Sequence, residues 1–261
     1  MSSFNYGTYL QLEALLDLQQ PKSDPPEHDE LLFIVIHQTY ELWFKQLLHE
    51  FSKIDERFAA DDLFGLLHGW KRTRTVMKTL VGQLDILETM TPQSFSAFRE
   101  RLETASGFQS TQFRRLEFML GDKRPETLSY YSPEMYGYAA LHESLNAPSV
   151  VDSFVGFLGR RGLDPALASF VPEPGTPREP DPRLQDELLR LAADQPELEW
   201  LYESMMDFDE GLQEWRYRHV KMVERTIGNK QGTGGSLGVE FLKRRLFVPA
   251  FPDLWAIRHR Y

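Results

Sequence analysis

Apolar residues recur three and four positions apart along most of this 261-residue chain. That spacing marks one face of an α-helix, and no segment shows the strict apolar–polar alternation of a half-buried β-strand. The pattern therefore predicts an all-α protein, a helical bundle in which residues 1–261 form a single domain.

Boundary residues divide this pattern into separate helices. Pro25 and Pro26 end the first unit, Thr91-Pro92 is typical of an N-cap followed by proline at the first helical position, and Gly121 is typical of a helix stop. The predicted elements are a short amphipathic segment over 5–20, a helix from Glu30 to Arg57 capped by Asp29, a helix over 61–88, a helix from Thr91 to Leu102, a helix from Phe108 to Leu120, a long helix from Glu197 to Ile227 and a short terminal helix.

The remaining segments are rich in proline or glycine. Residues 124–170 are expected to hold short helices broken by Pro133, Pro148 and Pro165, and 172–182 (PEPGTPREPDP) a proline-rich surface loop. The glycine-rich run 228–238 (GNKQGTGGSLG) lacks the G-K-[ST] of a phosphate-binding loop and follows a helix. It is either a linker or a lid over a ligand, with Thr233 as the polar contact in the second case.

Composition narrows the class of protein. The chain has no cysteine, which excludes disulfides, thiolate metal sites and a cysteine nucleophile. Its net charge of −10, without a compensating basic stripe, argues against nucleic acid as a partner. The N-terminus lacks the pattern of a signal peptide, and no apolar run reaches the ~18–20 residues of a membrane span. We expect a cytoplasmic protein without a membrane partner.

Two histidines are candidates for chemistry because each lies on an apolar helix face. His37 shares its face with Phe33, Tyr40 and Phe44, and His219 shares its face with Leu212, Trp215, Met222 and Thr226. A core histidine bonded to a neighbour is the ordinary explanation for either residue alone. A zinc site would want further close ligands. A haem needs one axial imidazole and an apolar slot, which suits this pattern better.

Arg99 follows Phe95 by one helical turn. Its planar guanidinium matches a carboxylate in a bidentate pair. The alternative is a solvated arginine paired with Glu103 at i+4.

Five sequence blocks resemble the tryptophan 2,3-dioxygenase family and occur in its order. They are NYGTYLQLEALL (5–16), HDELLFIVIHQTYELWFKQLLHE (28–50), SGFQSTQFRRLEFMLG (106–121), WRYRHVKMVERTIG (215–228) and GTGGSLGVEFL (232–242). The resemblance covers most of the chain and is weakest over 124–200. It implies an intertwined homotetramer of helical subunits, each with one haem b.

The same resemblance implies roles for individual residues. His219 resembles the axial ligand of the haem iron, and Gly107 and Trp215 are expected to border the haem. His37 resembles the distal histidine that accepts the indole N–H, a positioning role, because an indole N–H is too weak an acid for early removal by an imidazole. The remaining substrate-binding residues are Phe33 as an aromatic wall, Arg99 on the carboxylate, Thr233 on the amino-acid end, and Tyr6 and Tyr9 from a neighbouring subunit.

Phe95 stands where several bacterial members carry a tyrosine that helps to hold the substrate carboxylate. The expected function is insertion of both atoms of O₂ across the indole C2–C3 bond of L-tryptophan, giving N-formyl-L-kynurenine, the first step of the kynurenine pathway of tryptophan catabolism. Two alternatives are a haem monooxygenase of a substituted indole such as 2-methylindole, and a haem-based ligand or gas sensor. Arg99 discriminates among them, since neither alternative needs a carboxylate clamp.

Overall fold

A computed structural model describes residues 4–168, 174–176, 179–228, 230, 232 and 238–261. The described residues contain α-helices and short 3-10 helices and no β-strand. The α-helices are α1 (Tyr6–Leu10), α2 (Leu12–Leu16), α3 (His28–Ala59), α4 (Leu63–Leu87), α5 (Pro92–Phe98), α6 (Thr111–Met119), α7 (Tyr138–Asn146), α8 (Val150–Arg160), α9 (Pro165–Ala168), α10 (Pro182–Asp194), α11 (Glu197–Ile227), α12 (Val239–Lys243) and α13 (Pro252–Ala256). The 3-10 helices span Arg99–Leu102, Gly107–Gln109, Pro125–Tyr130 and Ile257–Arg260. The prediction of an all-α fold is confirmed.

The three long helices form the centre of the fold, with α4 packed against both α3 and α11. Each buries one apolar stripe, as the 3.6-residue period requires. Phe51 of α3, Trp70 of α4 and Phe208 of α11 meet edge to face, with ring centroids 5.2–5.7 Å apart. This aromatic contact fixes the spacing of the helices whose other ends carry the two histidines.

The shorter helix α6 packs on α3 and on α7. The hydroxyl of Ser110 accepts from the backbone N–H of Phe113 and so caps its first turn. The prediction of a helix from Phe108 is therefore wrong by one turn, because Gly107–Gln109 forms a separate 3-10 helix before this cap.

Two other predictions need correction. Helix α3 begins at His28 after Glu27, so Asp29 lies within its first turn and does not cap it. A helix that the pattern did not predict, α10, follows the proline-rich run, with Asp181 as N-cap and Pro182 at its first position. Pro165 likewise begins a helix and does not break one. The parts of 172–182 at 172–173 and 177–178 lie outside the described residues.

Other boundaries agree with the sequence pattern. Helix α11 spans Glu197–Ile227 as predicted. Thr91 accepts from the backbone N–H of Ser94 at the start of α5. Gly121 closes the segment after α6 with φ of 90°, a conformation that favours glycine. Among the described residues, no helix has the length and apolar character needed to cross a membrane.

Candidate functional site

A cavity of about 260 Å³ lies between α3, α5, α6 and α11. Its lining is mostly aromatic and aliphatic, as in sites for flat organic ligands. The predicted site residues that border it are Phe33, His37, Phe95, Arg99, Gly107, Trp215 and His219. Seven positions chosen from the sequence thus converge on one cavity, although they lie on four separate segments of the chain.

His37 presents its Nε2 edge to the cavity. Its Nδ1 lies 2.7 Å from the backbone carbonyl oxygen of Phe33, one turn earlier in α3. A carbonyl only accepts, so Nδ1 carries the proton of the neutral ring and Nε2 is left as an acceptor. Burial lowers the pKa of His37, although the Phe33 carbonyl and the Glu41 carboxylate oppose this effect. The ring is therefore neutral near pH 7.

His219 and Trp215 lie one turn apart on α11, and both border the cavity. Their rings are stacked, with centroids 5.0 Å apart and an interplanar angle of 6°. Burial lowers the pKa of His219 to about 4, and the nearby His37 and Arg114 lower it further. The result is a neutral imidazole on an apolar wall, which is the protonation state that binds a metal ion.

Aromatic rings form the wall beside His37. The ring of Phe33 lies 4.1 Å from the His37 ring and 5.7 Å from that of Phe95, centroid to centroid. Phe98 is fully buried behind them, 5.5 Å from Phe33. Arg99 follows directly at the start of the 3-10 helix and brings a half-buried guanidinium to the edge of the cavity.

Gly107 borders the cavity next to the ring of His37. A Cβ atom built at this position would lie 3.9 Å from Nε2 of His37. The absence of a side chain therefore leaves open the space in front of the acceptor nitrogen, where a ligand N–H would lie.

Charged side chains that the sequence analysis missed form the opposite wall. Arg114, Arg216 and Arg245 line the cavity together with Glu117, which is fully paired by arginines. Burial raises the pKa of Glu117, but Arg114 and Arg124 outweigh it and hold the pKa below its ordinary value. Arg114 and Glu117 are one helical turn apart within 106–121, so their ion pair could have been predicted from the sequence. The contact between Glu117 and Arg216 could not, because no local pattern connects the two residues.

Both tyrosines that the sequence analysis assigned to the site lie outside this cavity. Tyr6 and Tyr9 are 74% and 68% exposed in the single chain. Helix α1, which carries them, has no buried residue. The structure therefore does not bring them to the cavity of their own chain. Thr233 lies outside the described residues.

The donors around the cavity fit a flat metal complex better than a bare ion. Within the described residues, no group of three or more histidine and acidic side chains is placed to hold a metal ion. One neutral imidazole, an aromatic slot and a glycine that opens the space between the walls match a macrocycle held by a single axial ligand. Arginines line the cavity in two places, Arg99 in one and Arg114, Arg216 and Arg245 in the other. A carboxylate on a ligand could pair with an arginine in either place.

Comparison with known proteins gives one consistent result. A family model described as tryptophan 2,3-dioxygenase matches residues 1–148 and 190–260. The chain is 50% identical over 257 residues to a tryptophan 2,3-dioxygenase of Anaeromyxobacter dehalogenans (strain 2CP-C), with 98% of this chain and 96% of that protein covered. It is 47% identical over 256 residues to the one of Herpetosiphon aurantiacus, with 98% of each covered. The unmatched residues 149–189 contain α8, α9 and part of α10, which lie away from the cavity-lining residues.

Proposed function

This chain belongs to the tryptophan 2,3-dioxygenase family, and on that premise we propose that it inserts both atoms of O₂ across the C2–C3 bond of L-tryptophan to give N-formyl-L-kynurenine. The cofactor is haem b, and the substrate is the amino acid and not a bare indole. The observation that carries this proposal is the convergence of His37, His219 and Arg99 on one aromatic cavity.

His219 would hold the haem iron through its neutral ring, with Trp215 stacked on that ring. When bound, haem supplies the redox chemistry that activates O₂, while the protein supplies binding and orientation. The chain's own contribution on this side is to keep one imidazole unprotonated near pH 7 and to present it to a wall of apolar side chains.

His37 positions the indole. Its Nε2 accepts the indole N–H, because the proton of the neutral ring resides on Nδ1 against the Phe33 carbonyl. Phe33 and Phe95 flank the aromatic system, and Gly107 leaves room for it. His37 holds this hydrogen bond and does not remove the proton, since an indole N–H is far less acidic than an imidazolium of pKa about 6.5.

Arg99 fixes the amino-acid end by pairing with the substrate carboxylate. A substrate held at both ends presents one bond of the indole in one orientation, and orientation of this kind accounts for a large share of an enzyme's rate. We also assign Thr233, which lies outside the described residues, to the ammonium and carboxylate end. Phe95, without a hydroxyl, adds no hydrogen bond to the carboxylate, so Arg99 carries that interaction.

The active form is a homotetramer in which the N-terminal segment of one subunit completes the site of another. Helices α1 and α2 expose Tyr6, Tyr9, Leu10 and Leu16, and Phe4 is exposed just before α1; a free monomer would leave these large apolar side chains in water. We place Tyr6 and Tyr9 in the substrate pocket of the neighbouring subunit on this ground.

A direct assay tests the proposal. Purified protein loaded with haem and reduced is mixed with L-tryptophan and O₂, and N-formylkynurenine is followed by its absorbance. Oxygen-18 labelling is expected to place two labelled atoms in the product. One labelled atom with 2-methylindole, and no turnover of L-tryptophan, would assign the chain to indole monooxygenation, and tight haem binding with no turnover of either compound would make it a sensor.

A further inference from the structure

A cluster of charged side chains lies behind one wall of the cavity and carries an excess of positive charge. It consists of four arginines and two acidic residues, Arg114, Arg124, Arg216, Arg245, Glu117 and Asp122, and we call it the arginine cluster. Glu117 contacts Arg114, Arg124 and Arg216, and Asp122 contacts Arg124 and Arg245. Every carboxylate is thus shared, and two guanidinium charges remain without a counter-charge inside the cluster.

This excess of positive charge is unfavourable because two of the four arginines are buried. Arg114 and Arg216 are only 6% and 8% exposed, whereas the side chains of Arg124 and Arg245 are 16% and 25% exposed. Buried charges are normally paired, since removal from water costs several kcal/mol per uncompensated ion. The Nε atoms of Arg114, Arg216 and Arg245 are also buried without a hydrogen-bond partner among the described residues.

Only part of the arginine cluster borders the cavity. Arg114, Arg216 and Arg245 line the cavity, whereas Arg124 does not. A further carboxylate, Glu41, borders the cavity from α3, but its Oε2 accepts from the side-chain amide of Gln112 at 2.8 Å. No ion pair joins Glu41 to the arginine cluster within the described part of the chain.

We propose that the arginine cluster binds two carboxylates of the cavity's ligand, which in the haem of the proposed function are the two propionates. This inference rests on that proposed function, because haem is the ligand it places in the cavity. Two carboxylates match the excess of two guanidinium charges in number, and the arginine fork matches the carboxylate in geometry.

The crowding of like charges supports this assignment. Burial lowers the pKa of Arg245, and the guanidiniums of Arg124 and Arg216 lower it as well, although Asp122 acts in the opposite direction. An arginine that is held against like charges gains when an anion binds beside it. Repulsion within the cluster therefore destabilises the ligand-free protein, and binding of an anionic ligand relieves it.

A comparison of haem with its propionate dimethyl ester tests the proposal. The ester keeps the macrocycle and iron but has no anionic carboxylate. The rate at which each ligand leaves the protein is measured by transfer to excess apomyoglobin, which does not require turnover. We expect the parent protein to lose the ester at least about tenfold faster than haem, since tenfold corresponds to 1.4 kcal/mol and a charge-assisted bond contributes that much.

Three variants locate the effect, two at Arg245 and one at the control position Arg218. Arg245→Gln is expected to lose haem at least about tenfold faster than the parent and the ester at the parent's rate, because the contact that the ligand loses is the one with its carboxylate. Arg245→Lys, which keeps the charge, should restore much of the retention of haem. Arg218→Gln removes a charge from the same helix as Arg216, but Arg218 pairs with Asp85 and Glu88 away from the cavity. It should release both ligands at the parent's rates.

The melting temperature of the haem-free protein is a second measurement for each variant. Haem-free Arg245→Gln should melt at or above the parent's temperature, since it loses a crowded charge. If the parent retains haem and its ester equally, or if Arg245→Gln releases both faster by the same factor, the propionate assignment is wrong while the haem site stands. If the parent binds neither ligand, the proposed function itself is wrong.

Discussion

The imidazole of His219 lies parallel to the indole of Trp215, with 6° between the ring planes and 5.0 Å between the centroids. Both side chains project from the same face of α11, four residues apart. The stacked indole covers one face of the imidazole and restricts its rotation. Burial keeps the pKa of His219 at about 4, so the ring that is held in this way is a neutral one.

Replacement of His219 tests its role as the iron ligand. His219→Ala should lose tight haem binding, because α11 carries no other histidine that could supply an imidazole to the iron. The haem-to-protein ratio and the Soret band after purification measure the effect. His49→Ala, at an exposed position of α3, is the control and should match the parent. An unchanged ferric spectrum in His219→Ala would remove this residue from the role.

Replacement of Arg99 separates an amino-acid substrate from a bare indole. A charge-assisted bond contributes roughly 1.5–3 kcal/mol, so Arg99→Ala should lower kcat/KM for L-tryptophan by about ten- to a hundredfold. Turnover of 3-methylindole, which has no carboxylate, should be low in the parent and unchanged in the variant. His37→Ala should affect both compounds, since both carry the indole N–H.

Arg101 provides the matched control for this experiment. It lies two residues further along the same 3-10 helix, is exposed and does not border the cavity. Arg101→Ala should leave both substrates unaffected. A silent Arg99→Ala, together with a parent that prefers the bare indole, would contradict the assignment of L-tryptophan as substrate.

Mixed oligomers test whether Tyr6 and Tyr9 act in a neighbouring subunit. A chain with Tyr6→Ala and Tyr9→Ala and a chain with His37→Ala should each be weakly active alone. When they are coexpressed, some sites combine an intact His37 with intact tyrosines from the other chain, and activity should rise well above the sum of the two. Deletion of 1–20 should weaken both the oligomer and activity. A fully active monomer after this deletion would exclude the proposal.

Asp55 makes folding stability depend on pH. Burial raises its pKa to about 6, with the Ser153 hydroxyl opposing and Asp152 adding to the shift. The folded-state pKa thus lies above the unfolded value of about 3.9. The folded state binds the proton more tightly, so this group's unfavourable contribution is absent below about pH 4 and fully present above about pH 6.

Asp55→Asn should therefore stabilise the protein by about 2 kcal/mol at pH 8 and by little at pH 4. Urea unfolding at the two pH values measures the difference. Glu56→Gln, at the exposed neighbouring position where the carboxylate pairs with Lys53, is the control and should bring no gain at pH 8. An equal effect of Asp55→Asn at both pH values would refute the titration of this carboxyl.

Asp209 fastens the C-terminal segment to α11. Its fully buried carboxylate accepts from the backbone N–H groups of Ala250 and Phe251 and from the indole N–H of Trp255, at 2.9–3.1 Å. Asp209→Ala removes the acceptor of all three donors, of which the N–H of Phe251 belongs to a buried residue. A buried donor left without an acceptor costs about 1–3 kcal/mol. The free energy of unfolding in urea should fall by at least about 3 kcal/mol.

The control for Asp209 is Asp207, two residues earlier on the same helix. Asp207 has a side chain that is 39% exposed and pairs with Arg74 at 3.1 Å. Exposed ion pairs contribute about 0–1 kcal/mol, so Asp207→Ala should change stability little. Comparable losses in the two variants would show that the effect of Asp209→Ala comes from helix propensity or charge and not from its three hydrogen bonds to the C-terminal segment.

The sequence predicted the structure best where the signal is local and repeated. Helix α11 has the predicted bounds because its apolar period persists over eight turns before Gly228. The bond between His37 and the Phe33 carbonyl belongs to a single helical turn. By contrast, the capping signal at Ser110 competed with an apolar period that continues to Phe108, and the period alone placed the helix start one turn too early.

The arginine cluster could not be predicted in the same way. Glu117 and Arg216 are separated by 99 positions, so no local pattern connects them. Their contact depends on how α6 and α11 approach each other across α3 and α4. The missed helix α10 is a different case, since Asp181-Pro182 is an ordinary start signal that the proline-rich residues before it obscured.

Gly107 is a position at which a substitution can alter the size of the pocket at little cost to the fold. Its φ is not among the positive values that only glycine adopts readily, so a side chain there strains no backbone. An added methyl group would meet His37 Nε2 at an ordinary contact distance of 3.9 Å and would displace nothing but ligand. A single substitution at this position would therefore reduce the space for an indole without disturbing the packing of the helices. The substrate preference of the pocket can thus change without a loss of folding stability.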